Sequence, residues 1–223
     1  MMSLLHQIKS SPLLVRVVPF VLFAALTTLQ GSLGESPRYW IYLAKTVLGA
    51  GLIWWIRPAI PEMRWAISWE AVLAGGAVFA VWVGLDGLYP RWGDAGKPWN
   101  PQAEFGAGSG LAGFFILVRL AGSALVVPPL EEVFYRSFFY RYVAKADFQS
   151  LPLNYLSWRS FLVTAVIFGV VHPGQWLAGV LCACAYQALV IWKKRLGDAM
   201  TAHAITNCLL GLWVVWKGAW HFW

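Results

Sequence analysis

A series of long apolar stretches constrains this chain more than any other feature. A transmembrane helix needs about 20 consecutive, mostly apolar residues. A further amphipathic segment, 131–148, either continues the apolar stretch 111–130 or forms another embedded helix. The sequence therefore predicts an all-α fold, a polytopic transmembrane helical bundle of seven or eight helices. The seven candidate spans are 13–33, 39–57, 69–89, 111–130, 160–172, 176–192 and 198–216.

The composition agrees with a membrane protein and argues against a soluble one. Only 12% of the residues are charged and 15 are Trp. A soluble domain carries about a quarter charged residues, and Trp favours the bilayer interface. The net charge of +7 is not accompanied by a polar segment that mixes Lys or Arg with aromatic residues. We therefore expect a protein of the lipid bilayer that does not bind nucleic acid.

The distribution of basic residues predicts how the chain is oriented in the membrane. With seven spans and the N-terminus inside, eleven Lys and Arg residues fall in inside segments and four in outside segments. Cytoplasmic loops carry the excess of basic residues. This arrangement predicts a cytoplasmic N-terminus and a C-terminus on the other side, and leaves Lys45 and Arg119 inside spans without an explanation.

A polar segment rich in Gly and Pro, 90–110, interrupts the apolar stretches. Such a composition is typical of irregular structure. The segment is interpreted as an external loop, or alternatively as a lid over a site. It divides the chain into an N-terminal three-span region, 1–110, and a C-terminal membrane region, 111–223.

Two adjacent carboxylates, Glu131 and Glu132, follow the fourth apolar stretch. Intramembrane ionisable residues are functional-site candidates by default. Glu132 and Arg136 are i and i+4, the favourable order for an ion pair on a helix, and this pair could simply fix the position of the helix. Glu131 is turned about 100° away and is available as a general base in a cavity. Pro128 and Pro129 should end the preceding helix or begin a new one.

Two further motifs place polar side chains at helical spacing. In FGVVHP, Phe168 and His172 are i and i+4, and the following proline predicts that His172 lies at a helix end. In HAITN, His203 and Asn207 are i and i+4 and can donate hydrogen bonds towards one point, as a developing oxyanion requires. Each has a plain alternative: His172 could be satisfied by a backbone carbonyl, and the second pair could hold two helices together.

Taken together, these residues predict hydrolytic chemistry. A carboxylate, two histidines and an amide on three helices could position a water molecule, deprotonate it and stabilise a tetrahedral intermediate. The sequence has no GxSxG and no HExxH motif, so neither an α/β-hydrolase nucleophile nor a zinc-protease helix is indicated. Neither a cofactor nor a metal is predicted.

The ordered motifs EExxxR, FxxxH and HxxxN resemble the CPBP family, which contains intramembrane CAAX proteases of the Rce1 type and bacteriocin-processing relatives. The resemblance covers roughly residues 111–216. It implies that Glu131 and His172 activate water, that His203 and Asn207 form the oxyanion hole, and that Glu132, Arg136 and Phe168 support the site. Ser137 stands where this family often has Gly, which could narrow the cavity.

The N-terminal half is similar to bacterial CAAX-protease-related proteins that accompany exosortase sorting systems. The resemblance therefore implies a bacterial inner-membrane endopeptidase, acting on a membrane-associated protein or peptide, with an exosortase-type sorting system as a possible partner. Two other functions remain open. A non-catalytic relative could use the same pocket for peptide binding, immunity or assembly. A small transporter would instead show charges in many spans and repeat symmetry.

Overall fold

The structure is a computed structural model that describes residues 4–32, 34, 37–92 and 97–223. The described residues contain α-helices and short 3₁₀ and π segments, and no strand. The helices are α1 (Leu4–Ser10), α2 (Leu14–Ser32), α3 (Pro37–Ile56), α4 (Trp69–Gly84), α5 (Pro101–Phe105), α6 (Gly110–Ala144), α7 (Trp158–Val170), α8 (Trp176–Lys193) and α9 (Gly197–Lys217). The predicted all-α class is confirmed.

The predicted count of seven or eight membrane helices is not confirmed. Within the described residues, α6, α8, α9 and the span Pro37–Ala59 are long and apolar enough to cross a membrane. A fifth span results if α1 and α2, which are bent by 116° relative to each other, are counted as one. The predicted spans at 69–89 and 160–172 are helices of only 16 and 13 residues. At about 1.5 Å per residue, these are shorter than a hydrocarbon core of about 30 Å.

The prolines at 128 and 129 stand at the start of a new α-helical segment, Val127–Glu132, which is one of the two alternatives that the sequence predicted, but they do not end the longer helix. Helix α6 runs through them for 35 residues, because a π-helical segment, Gly122–Val126, comes directly before them. In that segment the N–H of Val127 donates to the carbonyl of Gly122, five residues earlier. This wider turn changes which carbonyls face the proline rings, so the chain continues without the clash that proline causes in a regular α-helix.

The segment 131–148 therefore continues α6 as far as Ala144, one of the two alternatives that the sequence left open. The polar segment 90–110 is only partly irregular. Asn100 accepts hydrogen bonds from the N–H groups of Gln102 and Ala103 and begins α5, as an N-cap residue does. Gly106 and Gly108 have positive φ angles between α5 and α6. Residues 93–96 of this predicted loop, and residue 33 of the first predicted span, lie outside the described residues.

Small residues let the helices approach closely where the site is built. A side chain on Gly75 of α4 would come within 2.6 Å of the Ala202 carbonyl of α9, next to His203. A side chain on Gly169 of α7 would come within 2.7 Å of the Trp176 carbonyl at the start of α8. Such glycine contacts are typical of packed membrane helices. They draw α9 and the end of α7, which carry the two predicted histidines, into the bundle.

Candidate active site

The two glutamates lie between two π-helical segments of α6. The first is Gly122–Val126 and the second is Val133–Phe139, which closes with a hydrogen bond from the Tyr140 N–H to the Tyr135 carbonyl. A π turn rotates the residues that follow it relative to a regular helix, and such turns are frequent at functional sites. The backbone of α6 is therefore irregular on both sides of Glu131 and Glu132.

Glu132 is completely buried and holds two partners. Its Oε2 atom lies 3.1 Å from Nε of Arg136, so the predicted i, i+4 ion pair is confirmed. Its Oε1 atom lies 2.9 Å from Nδ1 of His203 on α9. A carboxylate oxygen can only accept, so Nδ1 of His203 carries the proton of this hydrogen bond. Glu132 thus fixes both the orientation and the tautomer of His203, a contact that the sequence did not reveal.

Glu131 occupies a different environment, as the 100° rotation between neighbouring helical residues predicted. Its side chain is 18% exposed, and its Oε2 atom lies 4.0 Å from Nε2 of His203. The imidazole of His203 therefore lies between the two carboxylates, with one nitrogen facing each. Tyr186 of α8 stacks on this ring, with the two centroids 5.3 Å apart. Its hydroxyl donates to Thr206, one turn further along α9.

Asn207 contacts the backbone of α6. Its Nδ2 atom donates to the carbonyl of Ser123 at 2.8 Å. That carbonyl has no backbone donor, because the Val127 N–H is directed to Gly122 and Pro128 has no N–H. Asn207 thus satisfies a carbonyl that the π segment and the proline leave unpaired. This is the helix-to-helix contact that the sequence offered as the alternative, although the amide has a second N–H that this bond does not use.

His172 lies just beyond the end of α7, as its neighbouring proline predicted. Its Nδ1 atom is 2.7 Å from the carbonyl of Phe168. Because a carbonyl only accepts, Nδ1 carries the proton and Nε2 of the neutral ring is left as an acceptor. The ring packs against Phe168 and edge-on against Trp82. The predicted backbone alternative for His172 is therefore present, and it leaves Nε2 available for chemistry.

Three aromatic side chains surround the buried guanidinium group of Arg136. The guanidinium of Arg136 lies 4.9 Å from the ring centre of Phe168, with Tyr135 and Tyr186 at 5.6 and 5.8 Å. Cations are attracted to aromatic faces in this distance range. Phe168 contacts both Arg136 and His172, so it joins the end of α7 to the paired glutamate.

A second cluster of charged and polar side chains, which the sequence did not predict, holds the part of α6 that follows the two glutamates. Arg16 of α2 donates to Glu62 at 2.7 Å and to the hydroxyl of Ser137 at 3.0 Å. Arg141 donates to the same hydroxyl at 3.0 Å, and Ser137 donates to Glu62. Burial favours the neutral form of Glu62, but Arg16 and these hydrogen bonds outweigh it and hold its pKa below the ordinary range. No helical spacing connects Arg16, Glu62 and Ser137, which explains why the pattern gave no signal.

A third cluster holds the turn that follows His172. Asp86, beyond the end of α4, accepts hydrogen bonds from Gln175, Arg91 and His221 at 2.7 to 2.8 Å. Burial favours the neutral acid, but these three partners hold the pKa of Asp86 below its ordinary range. Trp92 also donates its backbone N–H to the carbonyl of Pro173. The loop after α4 therefore fixes the residues directly after His172.

Within the described residues, no group of three or more His, Cys, Asp or Glu side chains is arranged to hold a metal ion. The predicted residues that lie in direct contact are the two glutamates, Arg136 and His203. Phe168 links this group to His172, and Asn207 lies one turn beyond His203 on α9.

The region around these residues matches a known protein family. The model of the family described as Type II CAAX prenyl endopeptidase Rce1-like matches residues 112–209. This segment is an Rce1-like domain. It contains all seven predicted site residues, and its bounds agree with the resemblance seen in the sequence. Searches of the curated proteins and of the solved structures found no match.

The Rce1-like domain and the several apolar helices indicate a multi-pass membrane protein of the protease kind. Such a protein acts on membrane-associated substrates within a bilayer. The family model does not extend to the N-terminal helices α1 to α4. The resemblance of that half to exosortase-associated proteins therefore stays a prediction.

Proposed function

We propose that this protein is an intramembrane endopeptidase that hydrolyses a peptide bond of a membrane-associated protein substrate. The observation that carries the proposal is the buried imidazole of His203 between two carboxylates of unequal environment. Glu132 is neutralised by Arg136 and orients the ring, whereas Glu131 is partly exposed and has no basic partner among the described residues within hydrogen-bond distance. This is the separation of roles that acid–base chemistry requires.

In the proposed reaction Glu131 and His172 activate water. Glu131 takes a proton from the water, whose oxygen attacks the carbonyl carbon of the scissile bond. Nε2 of His172 is the acceptor that helps to orient this water. The tetrahedral intermediate then collapses, the C–N bond breaks, and the proton taken by Glu131 passes to the leaving amine. No covalent enzyme intermediate is formed, and the products are a carboxylic acid, which keeps the second proton of the water, and an amine.

His203 and Asn207 are proposed to stabilise the negative charge that develops on the carbonyl oxygen. The second N–H of Asn207 is free of the Ser123 contact and can serve as one donor. His203 would serve through Nε2, which requires a proton on that nitrogen as well as on Nδ1. Glu132 and Arg136 act by holding His203, and Phe168 acts by packing against Arg136 and His172.

The biological setting is a finer part of the same proposal. The resemblance to bacterial proteins suggests the bacterial inner membrane. The N-terminus is proposed to be cytoplasmic, because the basic residues are concentrated on that side when the seven spans predicted from the sequence are assumed. The resemblance of the N-terminal half to exosortase-associated proteins supports an association with an exosortase-type sorting system. A non-catalytic role in peptide binding, immunity or assembly is the alternative, supported by the backbone contacts of His172 and Asn207.

The test compares wild type with Glu131→Gln, expressed at equal levels in the native membrane, by mass spectrometry of membrane-protein termini. Glu104→Gln is the matched control, because it makes the same change at an exposed carboxylate of α5. We expect new termini with wild type and Glu104→Gln and none with Glu131→Gln. Identical termini in all three strains, with all three proteins folded, would establish the non-catalytic alternative.

A further inference from the structure

A basic cavity lies at the end of α3, outside the candidate active site. It encloses about 580 Å³ and is lined by residues of the segment between 54 and 64, among them Trp54, Pro58 and Met63. Two of its lining residues are Arg57 and Arg64, and both are exposed. The cavity therefore combines apolar walls with two guanidinium groups, a combination suited to an amphipathic anion.

The two arginines of this cavity have no protein counter-charge in the described part of the chain. No hydrogen bond or ion pair of either side chain is found there, in contrast to Arg16, Arg136 and Arg141, which contact carboxylates. The nearest carboxylate in sequence, Glu62, is already bound to Arg16 and Ser137. Because the local acid is committed elsewhere, Arg57 and Arg64 are available for an external anion.

A second cavity on the other side of Pro58 extends the basic surface. It encloses about 280 Å³ and is lined by His6, Lys9 and Ser10 of α1 together with Pro58 and Ala59. Lys9 brings a third positive charge to this end of the bundle. Three basic side chains thus surround a single proline at the junction of α1 and α3.

The surroundings of the cavity have the character of a membrane–water interface. Trp54, Trp65 and Trp69 are 76%, 46% and 68% exposed, and tryptophan concentrates at the level of the lipid headgroups. Helix α1 turns by 116° from α2 and exposes Leu4 and Leu5. A short helix with exposed leucines that turns away from the bundle suits a position in the plane of the interface.

We propose that this cavity binds the phosphate of an anionic phospholipid headgroup. Arginine binds phosphate oxygens through two parallel N–H groups, and basic pockets beside membrane helices bind anionic headgroups. The apolar lining residues would contact the glycerol end of the lipid, and Trp54 is one of these lining residues. The proposal does not depend on proteolysis, since none of these residues belongs to the candidate active site.

The binding site also has a direct structural connection to α6. Arg57 and Arg64 flank Glu62, which accepts hydrogen bonds from Arg16 and Ser137, and Ser137 lies in the second π segment. A lipid that orders the segment 57–64 would therefore stabilise the position of Glu62 against α6. We expect bound anionic lipid to raise the midpoint of thermal unfolding of the purified protein.

The experiment titrates the purified full-length protein in detergent with phosphatidylglycerol or phosphatidylcholine and counts retained lipids by native mass spectrometry. The test variant is Arg57→Gln/Arg64→Gln. The matched control is Arg159→Gln/Lys194→Gln, which removes two exposed basic residues that do not line the cavity. We expect the test variant to lose affinity for phosphatidylglycerol about 30-fold, from about fivefold for each of the two basic residues, and the control to bind like wild type.

Several results would overturn the proposal. One is equal retention of phosphatidylcholine and phosphatidylglycerol by wild type, and another is an equal loss in the test and control variants. Binding of inorganic phosphate as tight as that of the lipid would indicate a site for a free anion. Binding of polyglutamate without binding of the lipid would indicate a protein partner instead.

A second measurement needs no change in charge. Brominated phosphatidylglycerol in nanodiscs quenches the fluorescence of nearby tryptophans, and Trp54→Phe identifies the contribution of Trp54. We expect brominated phosphatidylglycerol to quench Trp54 more strongly than brominated phosphatidylcholine at the same mole fraction. Equal quenching by the two lipids would contradict a headgroup-specific site, even if the arginine variant were unstable.

Discussion

Two regions of the bundle carry buried charge in different ways. In the first, the ion-pair region, Glu132, Arg136 and His203 compensate one another directly. In the second, the aromatic region, Lys45 and Arg119 are two cations inside spans without a carboxylate in contact among the described residues. Lys45 lies 4.7 Å and Arg119 lies 4.6 Å from the ring centre of Tyr42, which stands between them.

The two regions differ in how strictly their contacts orient the charged side chains. A hydrogen bond to a carboxylate has a defined geometry, and the one that Glu132 accepts from Nδ1 of His203 sets the orientation of that ring. Aromatic faces attract a cation over a broad area, so Tyr42, Trp99 and Trp223 accommodate Arg119 without orienting it for a partner. Lys45 has one directed contact, to the hydroxyl of Thr27 at 2.9 Å. The ion-pair region therefore suits chemistry, whereas the aromatic region only makes buried cations tolerable.

The largest effect is expected in the ion-pair region. Glu132→Ala leaves Arg136 buried without a counter-charge and should lower the free energy of unfolding by about 3–5 kcal/mol. Unfolding by sodium dodecyl sulfate, followed by circular dichroism, measures this. Glu131→Ala is the control, because Glu131 is partly exposed and has no arginine partner. Equal losses in the two variants would remove the distinction between the carboxylates.

The aromatic region should be most sensitive to loss of its shared ring. Tyr42→Leu removes the face that contacts both Lys45 and Arg119, and each contact contributes up to about 2 kcal/mol when desolvated. We expect a loss of roughly 2–4 kcal/mol in the same unfolding assay. Tyr42→Phe keeps the ring and should stay close to wild type. A large loss in Tyr42→Phe would mean that the hydroxyl, rather than the aromatic face, stabilises this region.

The hydrogen bonds between Ser137 and its charged neighbours are also expected to stabilise the position of α6, and Ser137→Ala tests this. Ser137→Ala removes contacts with Arg16, Arg141 and Glu62. Hydrogen bonds to charged groups contribute about 1.5–3 kcal/mol, so a loss in that range is expected. The control Ser123→Ala removes only a local bond to the Leu120 carbonyl. A loss no larger than that of the control would show that the arginines find other partners.

The smallest effect is expected from titration of Glu62. Its pKa is lowered in the folded protein because Arg16 and Ser137 outweigh the effect of burial. Its stabilisation is therefore fully present above the unfolded pKa, and is lost as the pH falls through that value towards the lower folded pKa. Unfolding measured from neutral pH into this acidic range should show a decline that is reduced in Glu62→Gln. An unchanged pH profile in Glu62→Gln would contradict this assignment.

Part of the site followed from spacing along the chain. The i, i+4 relation predicted the ion pair of Glu132 with Arg136, and the proline after His172 predicted its place at a helix end. The contact of Glu132 with His203 could not be predicted, because it joins residues 71 positions apart on different helices. Local proline rules predicted that an α-helical segment could begin at Pro128, but they do not reveal the π turn that keeps α6 continuous at this point.

The sequence by itself determined the apolar helical class, the family of the segment 112–209 and the residue types that carry the chemistry. These properties follow from composition and from the spacing of residues within one helix, so they can be read from each segment of the sequence separately. Only the tertiary structure decided which glutamate binds Nδ1 of His203, which carbonyl Asn207 satisfies and how Lys45 and Arg119 are accommodated. Each of these depends on the distance and direction between helices, and no local pattern contains that information.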